Sequence, residues 1–177
     1  MQGDFSRLTF DPRKHYRGVR MQQGRVQLDA DWNEQIDILN YFFETQLKDI
    51  LGSSGAPQAT AGFKITIENN DDRQQELPTI AQAHQDSEAR NQILPDFSIC
   101  RGHYYVDGIL CENEQDVLFS SQPYYPQARI PSVLKQRCLV YLDVWQRHIT
   151  AFEDASLREI ALGGIDTTTR IQTIWQV

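Results

Sequence analysis

Cysteine is scarce in this chain. There are three, Cys100, Cys111 and Cys138, an odd number with no C-x-x-C pair among them. That pattern supports neither a disulfide framework nor a zinc site. Each lies in apolar, strand-like surroundings, where a free thiol behaves as a small buried hydrophobe, and a reducing compartment fits best. Long apolar runs are also missing. No stretch approaches the roughly 18 residues that cross a bilayer, and the opening "MQGDFSRLTF" lacks the apolar core of a secretory signal. Membrane contact is therefore expected only indirectly. Positive charge does not prevail: the formal net charge is -7 over 177 residues, which argues against the basic face of a nucleic-acid binder.

Catalytic patterns are thin as well. The four histidines fall in neither H-x-x-x-H nor H-E-x-x-H, and His103 and His148 sit on expected strands as edge or core residues. The serines lie outside any G-x-S-x-G elbow. "LGGIDTTTR" lacks the Lys and spacing of a phosphate loop. Glu112, Glu114, Glu153 and Asp154 are explained by turn positions. No catalytic residue, metal or cofactor is expected, and the chain reads as a non-enzyme.

What is present begins with an unequal distribution of charge. Arg7, Arg13, Lys14, His15, Arg17, Arg20 and Arg25 make residues 1–28 cationic, so the remainder is correspondingly more acidic. This stretch reads as an extended arm that either meets an acidic surface, of its own domain or of a partner, or stands as a solvated basic edge. Within it, Asp11-Pro12 marks a turn, and "GRVQL" alternates Val26 and Leu28 as a short strand.

The strongest local signal follows. Trp32, Ile36, Leu39, Phe43, Leu47 and Ile50 recur at steps of three and four, which predicts one amphipathic helix over 29–52. Phe42 and Leu51 widen the stripe, and Gly52 stops it. An isolated helix cannot bury such a stripe, so a sheet or a partner must cover it. The helix start is rich in acids. Asp29-x-Asp31-x-Asn33 looks like half an EF-hand loop, but the Gly and Glu that such a loop needs are replaced by Glu34 and Asn40. Helix capping uses the same residues without a ligand. Asp31 is the expected N-cap and Glu34 its capping-box partner, both at the positive end of the helix dipole, with Asp29 paired to Arg25.

Beyond Gly52, "GSSGAPQATAG" reads as a loop and "GFKITIE" as a strand with Phe63, Ile65 and Ile67 on one face. Residues 69–93 form a polar excursion of a kind that marks disorder or partner contact. "FSICRGHYYVDGILCENE" predicts two strands around an Asp107-Gly108 turn, and "DVLFSS" another. "QPYYPQARIP" is a proline-bounded loop, so Tyr124 and Tyr125 are expected to be exposed and available for contact. "QRCLVYLDVWQRHITAFED" reads as a strand pair, and "SLREIAL" as a helical turn capped by Ser156. A turn at Gly163-Gly164 leads into a last strand whose pattern is still running at Val177, so the natural chain is expected to continue. The fold class is α+β. An extended docking arm (1–28) and one long amphipathic helix (29–52) pack on a mainly antiparallel β region (53–177), sandwich or barrel-like.

Five segments together carry a resemblance: "GDFSRLTFDPRKHY", "MQQGRVQLDADWNEQ", "YYVDGILCENE", "VYLDVWQRHITAFED" and "LGGIDTTTRIQTIWQV". They resemble a bacterial domain family without assigned enzymatic activity, found in large proteins encoded near phage-tail-like clusters, contractile injection systems among them. They are also similar to the N-terminal regions of phage baseplate and tail-fibre proteins. Gly24-Arg25, Trp32-Asn33-Glu34-Gln35, Tyr105-Val106-Asp107-Gly108 and Tyr141-Leu142-Asp143-Val144 take the motif positions. The resemblance implies a structural adaptor, assembled in the cytoplasm as part of a large particle that is tethered to a membrane or released. It would attach to baseplate or sheath-end proteins in several copies and present a fibre or tethering module. The arm would dock through Phe5, Phe10, Arg7, Arg13, Arg17 and Arg20. The alternative is a carbohydrate-binding module stacking sugars on aromatics such as Tyr124 and Tyr125.

Overall fold

The computed structural model describes residues 3–67, 96–129 and 139–177. The polar excursion 69–93 and Cys138 lie outside these residues. The described chain is α+β, with one α-helix and several small antiparallel sheets, none of them closed into a barrel. It divides into two compact units.

The first unit holds Met1–Pro57, Tyr104–Cys111 and Val144–Trp175. Up to the helix, the described residues carry a single 3-10 turn, Pro12–Lys14, whose Asp11 cap accepts from the Arg13 N–H at 3.1 Å. The Asp11-Pro12 turn is thus present. The expected strand at Val26–Leu28 is not, because the chain turns at Gly24 and leaves Val26 in solvent. Helix α1 spans Asp29–Leu51 and ends at Gly52, whose N–H bonds the Lys48 carbonyl at 2.8 Å with a φ of 81°. Glycine alone enters that region without strain, so the predicted stop holds.

Strand β1 (Ser54–Gly55) pairs antiparallel with β4 (Gly102–Val106), Ser54 opposite Val106 and Gly55 opposite Tyr105. β4 turns through Asp107-Gly108 into β5 (Ile109–Asn113). Both turn residues have positive φ, 50° and 85°, as a two-residue hairpin of this hand requires. Further on, β9 (Asp143–Ile149) pairs with β12 (Arg170–Gln176), so where a strand pair was expected over 136–154 the described residues 139–154 hold one strand joined to a distant partner. Between them, β10 (Arg158–Glu159) and β11 (Ile165–Asp166) form a hairpin through Gly163-Gly164. The predicted turn of "SLREIAL" resolves into two 3-10 turns, Ala155–Leu157 and Ile160–Leu162. Their caps are Asp154 and Glu159 rather than Ser156. A carboxylate two residues ahead of a free N–H reaches it more readily than a hydroxyl inside the turn. The core of this unit is Ala30, Ile38, Cys111, Ile149, Ala151, Ile174 and Trp175.

The second unit holds Gln58–His103, Glu112–Asp143 and Gln176–Val177. Here β2 (Ile65–Thr66), β3 (Ser98–Ile99) and β6 (Val117–Leu118) make an antiparallel sheet in the order β2-β3-β6. Ile99 is its fully buried centre, and Phe97 stacks on Phe119 at 4.7 Å. The buried Asn113 amide donates to the carbonyls of Ile99 and Cys100 at 3.3 and 3.2 Å. The stretch read as a loop around Tyr124 is a tight hairpin, β7 (Ser121–Gln122) against β8 (Tyr125–Pro126). Proline is tolerated there because an edge strand needs no outward N–H.

Candidate interaction surface

Residues 3–28 are bonded onto α1 through polar side chains of the helix. The Ser6 N–H and hydroxyl donate to the two carboxylate oxygens of Asp29 at 2.9 and 2.6 Å. The Thr9 hydroxyl donates to Glu34, and the Val19 N–H donates to Gln35 Oε1 at 2.8 Å. A segment with little secondary structure has backbone donors to satisfy, and the acid-rich helix start satisfies them. Two ring contacts add to these. Phe10 meets Tyr41 at 5.8 Å, and the Arg17 guanidinium lies 4.9 Å from the Phe42 ring centroid, a cation–π geometry.

The capping arrangement differs from the expected one. Leu28 is the extended N-cap, and Asp31 stands at the third helical position, where its carboxylate accepts from the Leu28 N–H at 3.4 Å. Glu34 is spent on Thr9, and Asp29 on Ser6 rather than on Arg25. The helix starts at Asp29, as the 29–52 range predicts, and its cap therefore lies three residues before Asp31, because Asp29 and Ala30 already have helical geometry. Each of these carboxylates accepts from a protein donor. Ser6's hydroxyl, and then its N–H, hold the Asp29 carboxyl below the ordinary range.

Asp37 is pushed the other way, chiefly by partial burial and then by the neighbouring charge of Glu34. A carboxyl whose folded pKa lies above its unfolded value binds its proton more tightly when folded. Stability then falls as pH rises through that window, and the loss is complete at neutral pH. Asp37→Asn is therefore expected to raise the melting temperature at pH 7 by a few degrees at most. The gain should shrink to nothing below about pH 4, where the unfolded aspartate also holds its proton. A gain that persists at pH 3 would assign the effect to something other than charge.

The sequence-derived contact residues fall into distinct groups. Phe10 and Arg17 are spent on α1. Arg13 is tied to its own Asp11 at 3.0 Å. Phe5 is half-buried, edge-on to His148 at 5.8 Å, in a cleft of about 580 Å³ also lined by Asp4, Phe152 and Thr167. Arg7, Arg20 and Arg25 project into solvent, with no side-chain partner among the described residues. Tyr124 and Tyr125 belong to the second unit, where Tyr124 is half-buried and Tyr125 exposed. His103 Nε2 lies 3.5 Å from the Glu112 carboxylate on an exposed edge. Among the described residues no group of three His, Cys, Asp or Glu is placed to hold a metal. Burial pushes the Cys111 thiol up to about 11.

The stripe on α1 was expected to lie under a sheet or a partner; among the described residues it stands exposed, with no sheet over it. Trp32 is 60 % exposed, Phe43 64 % and Ile50 77 %, with Ile36 and Leu39 also exposed, whereas Ile38 on the opposite side is 1 % exposed. A second apolar group surrounds β10 and β11, where Phe152 is 93 % exposed and Ile160 89 %. The signal for this second group was present in "SLREIAL" as apolar residues without a period that would bury them.

A family model described as a family of unknown function, DUF6519, matches residues 1–177. No curated protein and no solved structure matches the chain.

Proposed function

We propose that this chain, which belongs to the DUF6519 family, is a structural docking component of a phage-tail-like contractile injection system. In this reading it attaches at the baseplate and presents a fibre or tethering module. Residues 1–28 are the docking arm, and the β region is a sandwich-like mount. The partners are baseplate or sheath-end proteins, and any membrane contact is made through the particle. The observation that carries the proposal is the backing of the cationic segment. Its inward groups (Ser6, Thr9, Phe10, Val19) are bonded or stacked on α1, while Arg7 and Arg20 face outward beside exposed Leu8, Tyr16 and Met21. A charged and apolar strip held on a rigid helix suits an acidic protein surface, because little ordering entropy remains to be lost on binding. The motif resemblance described above supplies the class of partner.

The test is co-sedimentation with particles from the native host, read by mass spectrometry beside sheath and tube proteins. Deleting the arm would uncover Asp29, Glu34 and Gln35, so charge reversal is the cleaner variant. Arg7→Glu with Arg20→Glu should leave the melting temperature unchanged and reduce incorporation at least about tenfold, as reversal of paired interface charges does. A chain absent from the particle fraction, or a double variant incorporated like the natural one, would refute the proposal.

A further inference from the structure

The exposed stripe on α1 has a period and a composition that identify its occupant. Ile36, Phe43 and Ile50 recur every seven residues, and Trp32, Leu39 and Gln46 recur every seven residues between them. These are the a and d positions of a heptad, a narrower pattern than the broad stripe by which a helix packs on its own domain. The positions diametrically opposite are Glu34, Tyr41 and Lys48. All three are engaged with their own chain, through Thr9, Phe10 and Asp107. Ile38, on that same side, is buried. The helix is thus fixed to its unit by one face and presents a coiled-coil seam with the other.

We infer that this seam is an interface with the same seam on a second copy of this chain. Three observations favour a copy over an unrelated partner. The seam contains no charge; of the flanking e and g side chains (Asn33, Gln35, Asn40, Phe42, Leu47 and Asp49) only Asp49 is charged, and the Arg17 guanidinium, 4.9 Å from the Phe42 ring, sets one cation beside that one anion. Two copies of a chain with net charge -7 therefore meet here without appreciable repulsion. The seam is also self-complementary, since a and d side chains fill the holes between a and d side chains of an identical helix, as a two-fold interface requires. Finally, Trp32, Ile36, Leu39, Phe43 and Ile50 are 39–77 % exposed in one strip, which at about 200 Å² for a large side chain brings a pair of copies to the threshold, about 1,000–1,200 Å², of a specific interface. Anchoring α1 to its unit removes the nucleation cost that would otherwise make so short a coiled coil marginal. The inference does not depend on the chain belonging to any particle.

Sedimentation equilibrium of the purified chain tests it, over a range of about 1–100 µM in which an interface of this size should form. A discrete closed oligomer is expected. Phe43→Asp, which puts a charge at the centre of the seam, should weaken association at least about thirtyfold, as loss of an interface hot spot does. Its circular dichroism should be retained, because Phe43 contributes little to its own core. Ile160→Asp, equally drastic but off the helix, should leave association unchanged. Should Phe43→Asp fail to fold, Trp32→Glu at the other end of the seam gives the same reading. A monomer at every concentration would overturn the inference. So would association that survives Phe43→Asp intact, or that Ile160→Asp weakens equally.

Discussion

Gly108→Ala is expected to destabilise the first unit by about 2–6 kcal/mol, read as a large fall in the denaturant midpoint with an unchanged slope. Two separate costs meet at this residue. Its φ is +85°, a conformation that costs a residue with a side chain about 1–3 kcal/mol. A Cβ built there would also stand 2.2 Å from the Glu44 carbonyl oxygen. Real contacts never approach so closely, so α1 would have to move from the β4–β5 turn, an overpacking cost of about 1–3 kcal/mol more. The nearby Lys48–Asp107 ion pair, 2.9 Å long and exposed on both sides, is worth too little to resist the shift. Gly108→Asn separates the two costs. Asparagine accepts positive φ better than alanine does but carries the same Cβ. If the close approach dominates, the two variants should fall together. If Asn restored most of the stability, the backbone angle alone would be responsible, and the packing of α1 on this turn would be looser than the geometry indicates.

That contact illustrates what could be read from the sequence. Asp107-Gly108 between alternating apolar residues specifies a hairpin through local chemistry, and the hairpin is there. Asp11-Pro12, Gly52 and Gly163-Gly164 were legible for the same reason, since each depends on its own backbone preferences. The 3.6-residue recurrence from Trp32 likewise marks a helix, whatever surrounds it. Periodicity shows where the apolar stripe lies but not what covers it. On α1 the face turned toward the rest of the unit is the one with Glu34, Gln35, Ile38 and Phe42, because residues 6–19 need acceptors for their backbone and hydroxyl groups. Those needs arise 16 to 25 residues away, and no window on the helix reveals them.

The misplaced cap has a similar origin. Asp31-x-x-Glu34 has capping-box spacing, but so does Leu28-x-x-Asp31, in which only the carboxylate half is made. Choosing between them required knowing that Ser6 and Thr9 would take Asp29 and Glu34. The β7–β8 hairpin was hidden by Pro123 and Pro126, which read as loop residues until an edge strand gives them a place. Arg7 and Arg20 on the arm and Trp32, Phe43 and Ile50 on the helix are exposed among the described residues, and local spacing in the sequence says nothing of what meets them.

Gln122 is expected to be the most sensitive polar position of the second unit, and nothing in its sequence context signals it. The side chain is 1 % exposed. Its amide nitrogen donates to the Phe119 and Val177 carbonyls at 2.9 and 3.1 Å, and its oxygen accepts from the Val177 N–H at 2.7 Å. One side chain thereby satisfies both backbone groups of Val177, as a neighbouring strand would. Two acceptors on one side and one donor on the other also fix the amide's orientation. Gln122→Leu keeps most of the volume but strands three backbone groups. A fully buried unsatisfied group costs about 1–3 kcal/mol; Phe119 and Val177 are only half-buried, so water and relaxation recover part of it and the expected loss is about 2–4 kcal/mol. Gln122→Glu distinguishes lost hydrogen bonding from lost shape. Its carboxylate can still accept from Val177 but faces two carbonyl oxygens, so burial and repulsion should raise its pKa. Protonation restores one donor. The Glu variant should therefore be less stable than the natural chain at pH 7 and recover part of the difference on acidification, because stability rises as pH falls through a raised carboxyl pKa. The Leu variant should show no such recovery relative to the natural chain. A Glu variant as stable as the natural chain at pH 7 would mean that solvent reaches this site and that Val177 is not held by Gln122.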